Sequence, residues 1–453
     1  METQPPAKKN RPSVMQLSKP APPQPLAKGI DPATEQWKKL NASVATLRGR
    51  HNARSKRVEQ LEANTAELSS LTQSITISLR LGRPLEGTLS DIQAAQELLK
   101  SKSQFVSVDC ADDASLRHAG FRSNIFSHAV SHCLMGHFLQ HGSLLPFRGT
   151  ETSTDCFSHL LPSEYLIGVM YFTKLVEHYA IGRAIAGDQS SIDICRRLID
   201  AILHELLQFD FRNGPLRRNY DGVKYVNKRL QEISYDLSLV CEKVDEEASK
   251  EGVELEGSQL EEATIVRADD FAAIKAQIAA ADLARDNVIK QCRDTQKAAK
   301  NAIFALHRGE DSYEKADKMI ADSACNGIRI YSEVMGTYKE NRYRGSFPSA
   351  MEEWAEAALF SHWLKTKTVL SFDELENLFN KSLIDTGVPK SDPRWVEGTI
   401  AEYVGGLVDL TGEIGRWAIA QATKRDIAAV TKVNDVLHRS LPFRVPLWLT
   451  VFR

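Results

Sequence analysis

Apolar residues recur every three or four positions through QWKKLNASVATLRGRHNARSKRVEQLEANTAELSSLTQSITISLRL, from Gln36 to Leu81. That period is the signature of an amphipathic helix, here many turns long. The same spacing predicts helices over about 89–104, 115–141, 163–186, 189–209 and 215–245. A second long helix opens at DDFAAIKAQIAAADLARDNVIKQCRDTQKAAKNAIFALHR. Further helices are expected over about 312–337, 347–366, 371–381, 399–423 and 426–439. No alternating Val/Ile/Thr-rich run argues for a strand, so the expected fold class is all-α. Residues 1–30 are rich in Pro, Lys and Gln and read as a disordered tail. Their cluster Lys8, Lys9 and Arg11 suits a solvated tail or a nuclear address. The acidic stretch EEASKEGVELEGSQLEEA reads as a linker, giving helical domains over 31–247 and 268–453 joined by 248–267.

The two domains repeat each other. EYLIGVMYFTKLVEHYAIGRAIAGD, from Glu164, aligns without a gap on EYVGGLVDLTGEIGRWAIAQATKRD, from Glu402, an offset of 402 − 164 = 238. Tyr165 meets Tyr403, Gly168 meets Gly406, Thr173 meets Thr411 and Asp188 meets Asp426. One helix earlier, GHFLQHGSLL from Gly136 pairs with SHWLKTKTVL from Ser361, at an offset of 225. Shared periodicity would match apolar positions, but not these polar and glycine positions at one offset. One all-α unit therefore occurs twice.

Chemistry concentrates in the second copy. AMEEWAEAALFSHWL carries Glu353 and Glu356 three residues apart, and AEYVGGLVDLTGEIGRW carries Asp409 and Glu413 four apart. Each pair shares one helix face, and that face is otherwise apolar or small. Four carboxylates aimed at one spot repel and protonate unless divalent cations neutralise them. That is a layout for metal-assisted phosphodiester cleavage. Salt bridges on solvated helix faces are the alternative. In the first copy the equivalent positions are His128, Ser131, Tyr171 and Leu175, so all four acids are lost together. The first copy then reads as a scaffold or binding unit.

A chain of 453 residues calls for more than one core. Its net charge of −2 offers no global basic field, so nucleic-acid binding needs local patches. Seven scattered cysteines without a CxxC pair read as free thiols of a reducing compartment. No apolar run approaches the roughly 18 residues of a membrane span, and the N-terminal residues lack the apolar core of a signal peptide. His128, His132, His137 and His141 have i, i+4 spacings that suit zinc. No carboxylate accompanies them, and structural histidines are the plainer reading. Arg217, Arg218, Lys224, Lys228 and Arg229 suit a solvated helix face or a subunit contact.

These segments resemble the translin family. LRRNYDGVKYVNKRLQEISYDLSL (216–239) and the YLIGV segment are similar to translin itself. RDTQKAAKNAIFALHR (293–308), EEWAEAALFSHWLKTKTVLSFDEL (352–375) and YVGGLVDLTGE (403–413) are similar to translin-associated factor X, in the same order. The resemblance covers roughly 30–245 and 268–440. It implies about seven helices per copy and an oligomeric shell of translin and factor X subunits that binds single-stranded RNA and DNA. It implies magnesium-dependent (manganese being possible) endoribonuclease activity, in the cytoplasm and nucleus, on small-RNA passenger strands or tRNA fragments. The family's E-x-x-E pair carries over onto Glu353 and Glu356, and its D-x-x-x-E pair onto Asp409 and Glu413, as metal ligands and catalytic acids. A basic segment of translin that contacts nucleic acid carries over onto Arg117, with His118 and Arg122 beside it. Lys339, Arg342 and Arg344 are the second-copy candidates, and Phe121 or Tyr343 could stack on bases. Two features depart from the family: its members are separate chains, and the second copy has no counterpart of the 215–245 helix, because 453 − 238 = 215. That absence is expected to leave an apolar groove for a partner helix, or to weaken the second copy. A non-catalytic binding or assembly subunit is the alternative reading.

Overall fold

A computed structural model describes residues 32–81, 85–111, 116–117, 124–147, 156–212, 214–248, 265–337, 345–431 and 433. Every regular element among them is helical, as the periodicity predicts. In the first copy these are α1 (Pro32–Arg80), α2 (Leu85–Asp109), α3 (Ile125–His141), α4 (Pro162–Ile185), α5 (Gln189–Leu207) and α6 (Pro215–Ala248). In the second they are α7 (Ala268–His307), a 3₁₀ turn (Glu310–Ser312), α8 (Tyr313–Thr337), α9 (Ser346–Thr366), α10 (Phe372–Phe379), α11 (Lys381–Asp385) and α12 (Ile400–Thr423). The expected single helix over 371–381 breaks at Asn380. Its side-chain amide donates to the Val396 carbonyl and accepts from the Val396 amide, 3.0 Å each, tying the break to the segment before α12. Of the helix expected over 426–439, residues 427–431 and 433 are described and are helical.

The internal repeat is visible as shared packing. In the first copy α1, α2 and α4 pack on α3; in the second α7, α8 and α12 pack on α9. α3 and α9 are apolar almost all round, as befits central helices. The hydroxyl of Tyr165 donates to the Leu145 carbonyl at 2.7 Å, and that of Tyr403 to the Leu370 carbonyl at 2.8 Å. Gly168 lies against Val130, and Gly406 against Ala355, equivalent pairs at the offsets 238 and 225. A Cβ at Gly406 would stand 2.8 Å from Ala355 Cβ and 3.1 Å from the Glu356 amide nitrogen. Only glycine allows α12 to approach α9 so closely, and that approach sets its acids beside those of α9.

The cores do not divide at the linker. Leu40 and Leu47, near the start of α1, belong to the core of the second copy. Phe271 and Ile274, near the start of α7, belong to the core of the first. Buried positions of the two long helices match at one offset, since 274 − 47, 288 − 61 and 302 − 75 all equal 227. Each long helix thus begins on the opposite copy and ends on its own. The polar contacts are reciprocal too: Phe372 N donates to Ser43 Oγ at 3.1 Å, and Phe147 N to Asp270 Oδ2 at 2.6 Å. Residues 265–267, assigned to the linker by sequence, join this exchange. Leu144 N donates to the Ile265 carbonyl, and Val266 is buried. Ser43→Ala strands the buried Phe372 amide and should cost about 1–2 kcal/mol, read as a lowered midpoint in chemical denaturation.

Candidate active site

Two central helices set the four acids together. On α9, Glu353 and Glu356 follow a first turn seated by Phe347, Ala350 and Met351, all buried. α12 starts at Thr399, whose hydroxyl accepts from the Glu402 amide while Glu402 Oε2 accepts from the Thr399 amide at 2.8 Å. The segment before it is held by Glu376, which accepts from Gly398 N at 3.0 Å. Arg50, on α1, faces the same carboxylate at 3.9 Å and stacks over Phe372, 5.2 Å from the ring centre. From that start, Gly406, Asp409 and Glu413 fall on the side of α12 turned to α9.

Glu356 and Glu413 are buried, 9% and 3% exposed, whereas Asp409 lies at the open rim. Burial, then the charges of Asp409, Glu413 and Glu353, push the Glu356 carboxyl up to about 7, and Glu413 is its hydrogen-bond partner. Lost hydration, then Glu353 and Glu413, raise Asp409. Glu352 is raised by burial and then by Asp409, and its carboxylate lies over Gly405. The acids therefore feel one another, as groups around one spot must.

Two cations and an imidazole answer them. Lys300 Nζ lies 2.9 Å from Glu353 Oε1. His307 Nε2 lies 2.6 Å from Glu413 Oε2, and Arg416 2.5 Å from Glu413 Oε1. His307 also packs on Phe360, ring centres 4.8 Å apart. As placed, no three His, Cys, Asp or Glu side chains among the described residues are disposed to hold one metal ion. The donor set is nevertheless chemically suited to a hard divalent cation, being all carboxylate oxygen, with Glu356 and Asp409 raised by burial and by their acidic neighbours. In the present arrangement Lys300 and Arg416 supply positive charge, and His307 contacts Glu413 Oε2.

The sequence pattern that defines the Translin family matches residues 49–240 and again 283–441. The chain belongs to the translin family. Among its relatives, translin-associated protein X of Pongo abelii is 28% identical over 175 residues, and that of Mus musculus 25% over 171. Each alignment covers 34% of this chain and 59% of the relative. Translin of Gallus gallus is 31% identical over 91 residues, 20% of this chain and 40% of that protein. The chain thus spans about three-fifths of the translin-associated protein X sequences it matches.

The remaining sequence candidates are placed as follows. Arg117 is turned inward: its guanidinium donates to both Glu164 oxygens, at 2.9 and 2.6 Å, and to the His159 carbonyl at 3.1 Å. This internal pairing at the start of α4 occupies the group proposed for phosphate contact. His118, Phe121, Arg122, Lys339, Arg342, Tyr343 and Arg344 lie outside the described residues. His132 Nε2 meets Thr76 Oγ1 at 2.9 Å, and His137 meets Ser143 and the His141 ring, so these histidines serve packing contacts. The basic face of α6 is exposed and laced by Arg217–Asp221, Lys228–Glu232 and Arg229–Glu232 pairs. Of the cysteines, 110, 133, 156, 195 and 292 are free and buried; Cys325 is free but exposed. No described helix is long and apolar enough to cross a membrane. Sequence reasoning missed Lys300, His307 and Arg416. The seven-residue spacing of Lys300 and His307, two turns on one face of α7, was the available signal.

Proposed function

We propose that this chain binds single-stranded RNA and DNA and cleaves RNA in its second copy, in an oligomer of translin-type subunits. The observation that carries the reading is the convergence of Glu353, Glu356, Asp409 and Glu413, with Glu356 raised to about 7. Membership of the translin family, and the likeness to translin-associated protein X, support the same reading.

Magnesium, or manganese in its place, would be held by these four acids, with Lys300, His307 and Arg416 giving way. Such an ion supplies a nucleophilic water and charge stabilisation at the scissile phosphate. The chain's own residues do the rest. α9 and α12 fix the carboxylates on rigid elements. His307, against Glu413, is placed to hold or release a proton at Nε2. Lys300 and Arg416, released from Glu353 and Glu413, would be free to pair with a phosphate.

The test is cleavage of a labelled single-stranded RNA by the purified chain, with magnesium and with chelator. The expected result is metal-dependent cutting that falls at least about 100-fold in an Asp409→Asn/Glu413→Gln variant. Binding without cutting by the folded wild type would instead favour the non-catalytic assembly subunit.

A further inference from the structure

The place in the first copy that mirrors the acid cluster is not empty of chemistry. Where the second copy has Glu353 and Asp409, the first has His128 and Tyr171. Their rings stack, centroids 4.4 Å apart and planes within 14°. Lys174, one turn along α4, is exposed and carries its amine 5.9 Å from the Tyr171 ring centre. His128 is itself exposed, at the surface end of the stack. The other two mirrored acids are Ser131 and Leu175, so none of the four negative charges is retained. Of the neighbouring equivalents, Arg80 stands where the second copy has His307, His178 where it has Arg416, both exposed, and Gln73 where it has Lys300. The site has changed from four carboxylates to an aromatic pair with Lys174 beside it.

We infer that the His128–Tyr171–Lys174 face is a docking subsite for single-stranded RNA, the ring pair carrying a base and the lysine a phosphate. The inference rests on the nucleic-acid reading above and adds to it a location in the copy without acids. A base has two π-faces, and an exposed ring stacked on a second, anchored ring offers it a platform of defined orientation. The anchor is the Tyr171 ring, half-buried on α4. Loss of water around His128, then the Lys174 charge, lowers the imidazole's proton affinity. Lys174 then adds one sequence-independent phosphate contact. Repetition gives the geometry a purpose: a strand held at this face of one copy lies on the surface that corresponds to the cutting face of the other.

The experiment is fluorescence anisotropy of a short labelled oligouridylate on the full chain, in chelator so that nothing is cut. Tyr171→Ala should weaken binding about tenfold, the scale of one lost stack. Tyr171→Phe, which keeps the stack, should stay within about twofold of wild type. Lys174→Glu, on an exposed side chain that leaves the fold intact, should also weaken binding and lower the salt dependence. An abasic oligomer should lose the Tyr171 effect and keep the Lys174 effect. Wild-type affinity in Lys174→Glu and in a natively melting Tyr171→Ala would overturn the inference while leaving RNA binding in place. No binding by the wild type at low salt would overturn the nucleic-acid reading, and this inference with it.

Discussion

Glu356→Gln is expected to make the protein more stable above pH 7 and to abolish RNA cleavage in the same step. The acid sits 9% exposed among Asp409, Glu413 and Glu353, and its carboxyl is raised from 4.5 to about 7. A folded state that holds a proton more tightly than the unfolded chain loses stability as pH rises between those values. Below about pH 4.5 both states are protonated and the acid costs nothing. Through 4.5–7 the cost grows, and above 7 it is complete. Each pH unit between the two values is worth about 1.4 kcal/mol, so the full cost is about 3 kcal/mol. Glutamine keeps the shape and removes the charge. Thermal melts at pH 8 should therefore show the variant several degrees above wild type, with the gap closing towards pH 4.5. Magnesium should narrow the gap at pH 8, because only the wild type offers the full ligand set. A variant that melts at or below the wild-type temperature at pH 8 would show that the acids do not strain one another, and the cluster would lose its claim to be a site.

That strain is the kind of fact a sequence half reveals. The pairs Glu353/Glu356 and Asp409/Glu413 were legible because a helix puts residues three or four apart on one face. Their meeting was implied by the family's E-x-x-E and D-x-x-x-E pairs; the close approach of Gly406 to Ala355 that achieves it came from the structure. The counter-charges were not legible. Lys300 and His307 lie on a helix whose pairing with α9 no local pattern encodes. Arg117 shows the opposite failure: a basic residue in the right segment is spent on Glu164, since the start of α4 also needs a partner for that carboxylate. The exchange of helix ends between the copies was not legible for a topological reason. Periodicity marks a helix of 49 residues over Pro32–Arg80, but nothing in a periodic stripe says that its first turns serve a different core from its last.

Leu47→Asp should therefore unfold the copy in which Leu47 does not reside. The side chain is 0% exposed, within the second-copy core, although its helix belongs to the first. A carboxylate there has no partner, and its burial costs more than about 4 kcal/mol, a large share of a domain's stability. Loss of this contact also frees Arg50 from Glu376 and the Gly398 carbonyl, and with them the segment that starts α12. Asp409 and Glu413 would then lose their register against α9, so the variant should be inactive as well as unstable. Tryptophan emission reads the result, because Trp354, Trp363, Trp395, Trp417 and Trp448 all lie in the second copy and the sixth, Trp37, is in the opening turns of α1, ahead of Leu40 and Leu47. Leu47→Asp should shift that emission to the red at temperatures where the wild type is folded. Ile274→Asp, the reciprocal change at the offset 227, is 1% exposed in the wild type and should damage the first-copy core instead. Its tryptophan emission should hold while helical circular dichroism falls. If both variants disturb only the copy that their helix numbering assigns them to, the exchange of helix ends does not hold the molecule together, and the two copies are independent bundles joined by a tether.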